Sequence, residues 1–300
     1  MRSPLWGPLV ATSLLGACAA PPKGAADDGP AADTGAPMEC GLPEDDAPGA
    51  VFVVQQLGFA RVADGVAWGS DLDGAVSAAG DGTGCGKPDV VDPEGTPGID
   101  NAFAGLLPAL EATEAAAISA LLQDSVTAGE LLITFEVLGL DDTVDDSCVS
   151  VVFGEAVGAP LLGTDGQVLA GQSFTRDPAD PVVVVEAAEV VGGRLIFDGE
   201  FTVGLQILDA DLQIPVTSGR VRLDLAPDGS AAVGHLTGGL SVPLMLEEID
   251  KYGIDPAVKD LLRTVLPAVA DLSSPDGSCD QLSVVFEFVA VPAFFYGDGE

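Results

Sequence analysis

Apolar and polar residues alternate over much of the second half of the chain. From residues 182–242 the pattern is β throughout, and Val221, Leu223 and Leu225 alternate with Arg222 and Asp224. Residues 226–230, APDGS, form a tight-turn sequence that leads back into the next strand. Alternation of this kind predicts an antiparallel meander with one buried face.

Further strands are predicted on both sides of this region. Residues 51–62 are rich in Val and Phe, residues 131–138 alternate, and residues 149–153 form another short apolar run. The chain closes with a predicted strand at residues 282–289, followed by an apolar tail that reaches Tyr296.

Two segments have helical periodicity instead. The first is predicted to be capped by Asp100 or Asn101 and to be kinked or split by Pro108. Asp255 is expected to cap the second helix, with Pro256 at its first position. The apolar residues that recur at three- and four-residue steps are Phe103, Leu106, Leu107, Leu110, Ile118, Leu121 and Leu122 in the first, and Val258, Leu261, Leu262, Val265 and Leu266 in the second. We therefore predict an α+β fold, mainly an antiparallel β-sheet meander, with two amphipathic helices.

A short internal sequence similarity bears on the domain organisation. Residues 146–153, DSCVSVVF, resemble residues 277–286, GSCDQLSVVF, and each follows a helix and an acidic turn. This internal similarity has two interpretations. It reflects either a duplicated helix-plus-strand unit or the amino-acid preferences that Val-rich strands share when they follow polar turns. Residues 50–300 are accordingly treated as one α+β domain, with two helix-plus-sheet halves as the alternative.

The N-terminus has the layout of a secretory leader. Arg2 precedes an apolar stretch that is too short for a comfortable membrane span and that ends in Leu15-Gly16-Ala17-Cys18. This ending resembles the lipobox of bacterial lipoproteins. The resemblance implies that residues 1–17 are removed and that Cys18 carries lipid, which anchors the chain on a membrane. Ala19, in place of an aspartate, implies the outer membrane, on its periplasmic or cell-surface face.

Residues 18–49 differ in composition from residues 50–300. Pro, Gly, Ala and Asp dominate them, and large apolar residues are nearly absent. Such a segment buries too little surface to offset its chain entropy, so we predict a disordered tether.

The charge balance limits the partners. Asp and Glu total 47 against 11 Lys and Arg, a formal net charge of −36. Nucleic acid and anionic lipid surfaces would repel such a chain. The excess of acid has two explanations, solubility at a salty surface and the binding of cations.

Four cysteines besides Cys18 are present: Cys40, Cys85, Cys148 and Cys279. An even number in an exported chain predicts two disulfides, and the sequence does not choose among the three pairings. Zinc is disfavoured because no C-x-x-C spacing occurs and His235 is the only histidine. His235 lies in a strand-like run, where a lone histidine is expected to be a surface or hydrogen-bonded residue.

The best candidate site is an acidic loop between the first strand and the first helix. Between Asp64 and Asp100 the chain holds eight carboxylates and one cation, Lys87. A hard cation such as Ca²⁺ would relieve their repulsion. The predicted metal ligands are Asp71, Asp73, Asp81, Asp89, Asp92 and Asp100. The EF-hand template fails, because Gly82 stands where its bidentate glutamate is needed. The alternative is a solvated Asp/Gly loop pinned by a disulfide at Cys85.

Several motifs taken together resemble those of a group of uncharacterised bacterial lipoproteins. These motifs are the lipobox, residues 71–74 (DLDG), Cys85-Gly86-x-x-Asp89, Pro93-x-Gly95, residues 98–101 (GIDN) and the Ser-Val-Val-Phe run after Cys279. This resemblance supports the architecture and implies no reaction.

Three functions are weighed. The first is a membrane-tethered, non-enzymatic binding or structural lipoprotein whose acidic loop holds Ca²⁺. The second is a carrier of lipid or another apolar ligand in a cavity between sheet and helices. The third is a hydrolase that uses acidic pairs such as Asp141 and Asp142; no nucleophile elbow or H-E-x-x-H motif accompanies them.

Overall fold

Twelve strands and four helices make up the computed structural model, which describes residues 49–112, 118–178, 183–207, 210–251 and 256–296. All of these residues fall in one compact unit, residues 38–300. The predicted signal peptide, residues 18–48 of the predicted tether with Cys18 and Cys40, and Asp255 lie outside the described residues. The strands are β1 (Ala50–Phe59), β2 (Val90–Val91), β3 (Pro97–Ile99), β4 (Leu132–Leu138), β5 (Asp146–Val157), β6 (Gln172–Arg176), β7 (Val183–Val191), β8 (Arg194–Ile207), β9 (Ala210–Leu225), β10 (Ala232–Ser241), β11 (Leu272–Ser273) and β12 (Cys279–Phe295). The helices are α1 (Ala102–Glu111), α2 (Ile118–Ala128), α3 (Val242–Lys251) and α4 (Pro256–Val269).

Eight of the strands pair into a sheet that closes on itself. The order around the ring is β1, β4, β5, β7, β8, β9, β10 and β12, and β12 pairs with β1 again. Every pairing around the ring is antiparallel. Closure leaves these eight strands without a free edge, so their backbone groups pair within the ring. Of the remaining strands, β6 bridges β5 and β12, β11 pairs with β12, and β2 pairs with β3.

The strand register brings the largest apolar side chains to the inside of the ring. Phe52, Phe135 and Phe153 lie opposite one another on β1, β4 and β5. Phe135 also contacts Phe288 on β12, with ring centroids 5.1 Å apart, although β4 and β12 are not paired. The Phe153 ring likewise lies 6.3 Å from that of Phe197 on β8. Side chains from non-neighbouring strands therefore meet across the interior, which is a packed core.

One glycine makes room for this packing. Gly234 on β10 faces Phe288 across the strand pair, and a Cβ at this position would lie 2.9 Å from Phe288 Cζ and closer still to the Arg222 carbonyl oxygen. A larger residue at position 234 would therefore have to displace the β9 backbone at Arg222 as well as the Phe288 ring.

The first two helices pack against β1 and its neighbours. Phe103 on α1 contacts Phe59, with ring centroids 4.7 Å apart. On α2, the Gln123 side chain accepts a hydrogen bond from Leu57 N and donates one to Gln55 O. These bonds satisfy backbone groups at the irregularity in β1, where the pairing with β12 shifts between Val54 and Gln56. α3 follows β10 directly and contacts α4.

The mainly β α+β class is confirmed, but the predicted meander is not, because β1 pairs with β12 and β5 pairs with β7. The prediction of two helices is wrong. The first predicted helix is two helices, and Pro108 lies inside α1, so the break comes after it. α3 is an additional helix that the sequence analysis missed. It starts at the last residue of the predicted β region with no intervening turn signal, and Pro243 is compatible with a first helical turn. The start of α4 at Pro256 agrees with the prediction. The predicted final strand and apolar tail form one 17-residue strand.

We expect Phe135→Ala to lower the free energy of unfolding by about 3–5 kcal/mol, because it leaves a cavity where three strands meet. Phe294→Ala is the matched control, since Phe294 is 58% exposed, and its effect should stay within about 0.5 kcal/mol. Urea denaturation of both variants checks this, and equal effects would contradict a filled interior.

Candidate functional site

The acidic loop, residues 63–100, lies on the outer face of β10 and β12. Its Trp68 ring stacks on His235 of β10 with centroids 5.8 Å apart. His235 points away from the interior, since its neighbours Gly234 and Leu236 face the interior partners Phe288 and Phe286. Just before the loop, Ala60 N donates to Val285 O of β12. The loop is therefore a layer on the sheet and contains its own small β2–β3 pair.

Ion pairs fasten the middle of the loop to the sheet. Glu94 accepts hydrogen bonds from Arg222 Nη2 and Arg194 Nη2, both at 2.7 Å. Both arginines also donate through Nε to Asp224, at 2.9 Å. Hydrogen bonds from Arg222 and Arg194 lower the pKa of Glu94 to about 2. Because Glu94 is 42% exposed, solvent screening keeps the stabilisation by these pairs modest.

A disulfide and a lysine hold the remaining part of the loop. Cys85 is bonded to Cys279 at the start of β12, so the predicted disulfide at Cys85 is confirmed. Lys87 Nζ donates to the carbonyl oxygen of Ala268 near the end of α4. Cys148 is also disulfide-bonded.

Three of the six predicted ligands converge. Asp71, Asp73 and Asp100 each offer a carboxylate oxygen, and these oxygens lie within 4.8 Å of one another. No other group of three or more potential metal ligands occurs in the part of the chain that the structure describes.

The other three predicted ligands have separate hydrogen-bonding roles. Asp81 accepts from Ala78 N at 2.6 Å and from Thr83, and these bonds lower its pKa. Asp92 is buried and accepts from Thr96 N, 2.7 Å away, which closes a tight turn.

Asp89 lies beside the converging group without joining it. Its Oδ2 accepts from Ser77 N. Burial is the main cause that raises the pKa of Asp89, and the nearby charges of Asp73, Asp71 and Asp81 raise it further. The prediction of a six-aspartate site is therefore too broad, because several of these carboxylates serve local turns.

Asp100 is the most deeply buried member of the loop's acids. It is 1% exposed, and its Oδ2 accepts from Leu72 N at 2.7 Å. Its Oδ1 has no hydrogen-bond partner among the described residues. Burial raises the pKa of Asp100 to about 7, against the opposing Leu72 bond, and the charges of Asp73, Asp271 and Asp89 contribute in the same direction.

The start of α1 corrects a sequence prediction. Neither Asp100 nor Asn101 caps this helix with its side chain. The acceptor is Ser283 Oγ on β12, which receives a hydrogen bond from Ala102 N at 2.7 Å. Ser283 in turn donates through its N and its Oγ to Asp271, a buried carboxylate whose pKa burial raises. The residue that caps α1 is thus about 180 positions away in sequence, with no local signal.

His235 has a structural environment. It is 4% exposed and stacked on Trp68. Burial is the larger cause and the Arg222 charge the smaller cause that lower the pKa of His235 to about 4. The imidazole is therefore neutral at pH 7.

Asp141 and Asp142 belong to the exposed connection between β4 and β5. Asp142 Oδ1 accepts from Val144 N at 2.8 Å, and Asp141 N donates to Asp146. These are turn contacts, and they give the hydrolase hypothesis no specific support.

No protein-family model, curated protein or solved structure matches this chain. Among the described helices, none combines the length and the apolar character needed to cross a membrane.

The environment of His235 predicts a pH dependence. Its pKa is about 4 in the folded chain and 6.5 as the ordinary value, so below pH 6.5 the unfolded chain takes up a proton that the folded chain does not. The stability that neutral His235 contributes is complete above pH 6.5 and is lost as the pH falls to 4. The difference in unfolding free energy between the parent and His235→Gln should change by roughly 3 kcal/mol between pH 7 and pH 4. Denaturation of both proteins across this range measures it, and a constant difference would contradict a buried neutral imidazole.

Proposed function

We propose that this chain is an exported, membrane-tethered lipoprotein of the outer membrane with a non-enzymatic binding or structural role, and that the acidic loop is its functional surface. The Cys85–Cys279 disulfide is the observation that carries the proposal. Structural disulfides form in oxidising compartments, which fits a chain whose first 18 residues resemble a secretory leader with a lipobox. The similarity of this leader to those of bacterial lipoproteins supplies the tether at Cys18.

The second disulfide bears directly on the tether. The described residues contain three cysteines, and Cys85 and Cys279 bond each other. Of the three pairings that the sequence leaves open for Cys40, Cys85, Cys148 and Cys279, the Cys85–Cys279 bond is compatible only with the one that assigns Cys148 a partner outside the described residues. We propose Cys40, which keeps the Cys18 sulfur for the lipid.

A non-enzymatic role fits the way in which the acidic loop is built. Its only neighbouring imidazole, His235, is buried beneath Trp68 and neutral. Several of its carboxylates accept backbone N–H groups of the same loop. Such side chains are fixed in position, which suits recognition of a ligand by geometry.

The carrier of an apolar ligand is the second candidate, and the closed sheet favours it, because closed sheets of eight strands hold a small ligand in some proteins. Phenylalanine side chains cross the described interior and leave less room for a ligand. Mass spectrometry of a lipid extract from the purified chain separates the two functions: a stoichiometric lipid would favour the carrier.

We expect the parent chain to incorporate radioactive fatty acid and Cys18→Ser to incorporate none. Cys40→Ser is the matched control, because it removes a cysteine outside the lipobox and should keep the label. Labelling followed by membrane fractionation measures this. An unlabelled parent would overturn the proposed tether.

The disulfide assignment predicts two cross-linked peptides in a non-reducing digest, Cys85–Cys279 and Cys40–Cys148. Mass spectrometry before and after reduction identifies them. A Cys18–Cys148 peptide would be incompatible with lipid on Cys18.

A further inference from the structure

We propose that Asp71, Asp73 and Asp100 form a binding site for a hard divalent cation, Ca²⁺ in the first place. The three carboxylates each present an oxygen to the others within 4.8 Å. Three like charges at this separation repel one another, and a cation between them turns that repulsion into attraction. The site deepens the proposed function, since it gives the acidic loop a ligand, but its test needs only the folded chain.

The buried oxygen of Asp100 is the independent reason for placing a ligand here. Asp100 is 1% exposed, and its Oδ1 has no partner among the described residues. A buried carboxylate oxygen without a hydrogen bond is costly, and native proteins rarely keep one. A cation bound beside it supplies the missing partner.

Backbone donors hold the three carboxylates in place. Gly74 N donates to Asp71 Oδ1 at 2.7 Å, Ala75 N to Asp73 Oδ1 at 2.9 Å, and Leu72 N to Asp100 Oδ2 at 2.7 Å. One oxygen of each carboxylate therefore accepts a backbone hydrogen bond, which fixes the side chain. Hydrogen bonds of this kind orient metal ligands in established sites.

Gly98 allows the backbone to come close to the same place. Its φ is +84°, and a Cβ there would lie 2.8 Å from the carbonyl oxygen of Ala75 and 3.5 Å from Asp71 Oδ2. The Ala75 carbonyl oxygen therefore lies near the cluster and is a candidate for a further ligand. A side chain at position 98 would fill this space.

The chemistry of the donors selects the cation. All the ligand atoms in the cluster are carboxylate oxygens. The sulfur of nearby Cys85 is bonded to Cys279 and is not a free thiolate. Ca²⁺ accepts about six to eight oxygens in irregular arrangements, so three monodentate carboxylates leave about three to five positions for backbone carbonyls and water. Mg²⁺ demands a near-ideal octahedron and fits an irregular loop less well. Extracellular sites of this type bind Ca²⁺ with Kd values of about 10⁻⁴–10⁻³ M.

Terbium luminescence tests the site directly. Tb³⁺ substitutes for Ca²⁺ and emits when a nearby tryptophan is excited, and Trp68 is three positions from Asp71. The full purified chain, with its disulfides intact and in about 0.15 M NaCl to screen diffuse attraction by its net charge, should give sensitised emission that Ca²⁺ displaces. Mg²⁺ at the same concentration should displace it less.

Variants locate the binding. Asp73→Asn and Asp100→Asn should each weaken Tb³⁺ binding at least tenfold. Asp64→Asn is the matched control, since it removes the same charge from the same loop outside the cluster and should change binding by less than twofold. Circular dichroism of each variant separates loss of binding from loss of fold.

A thermal melt supplies a second measurement. Ca²⁺ at about ten to a hundred times its Kd should raise the Tm of the parent by about 3–8 °C. Asp100→Asn should keep or raise the Tm measured without Ca²⁺, because an amide oxygen still accepts from Leu72 N and a buried charge is removed, and it should abolish the Ca²⁺ shift.

The proposal is overturned if Tb³⁺ emission and the Ca²⁺ shift persist unchanged in Asp73→Asn and Asp100→Asn, which would indicate diffuse screening of the net charge. It is equally overturned if the parent shows neither. Fatty-acid labelling of Cys18 enters neither measurement, so failure of the cation site and failure of the tether remain distinguishable.

Discussion

Closure of the sheet is the constraint on which the other features depend. The pairing of β12 with β1, and of β5 with β7, joins the ring and removes its free edges. Closure also creates an inside, and the Phe135, Phe153 and Phe288 side chains fill it. In a chain of net charge −36, this arrangement keeps the apolar interior apart from acids that lie on the outer face and in the connections.

Several different interactions hold the acidic loop on the outer face of the sheet. The disulfide holds the acidic loop to β12, the Trp68–His235 stack holds it to β10, and the Glu94 ion pairs hold it to the neighbouring strands β8 and β9. Since a loop with many like charges would otherwise spread into solvent, these attachments bring its carboxylates close together. The convergence of Asp71, Asp73 and Asp100 is thus a product of the sheet beneath the loop as much as of the loop sequence.

The sequence predicts individual strands and helices, but it does not predict contacts between residues that are far apart in the chain. Alternation of apolar residues identifies the strands, because a period of two is a local signal. It says nothing about which strands close the ring, because β1 and β12 are more than 200 positions apart. The candidate site divides in the same way: acidic composition identifies the loop, but it does not reveal that Asp100 is buried or that Ser283 of β12 caps α1. Asp81 and Asp92 look like ligands in the sequence because turn-forming and cation-binding aspartates have the same neighbours, glycine above all.

The pairing of the first and last long strands has a consequence for biogenesis. β1 is synthesised first among the ring strands and β12 last, and Cys279, which ties down the acidic loop, opens β12. Without β12 the sheet therefore stays open, with unpaired edges on β1 and β10. A chain truncated before residue 279 would therefore leave two unpaired strand edges, on β1 and β10, that can pair with other chains.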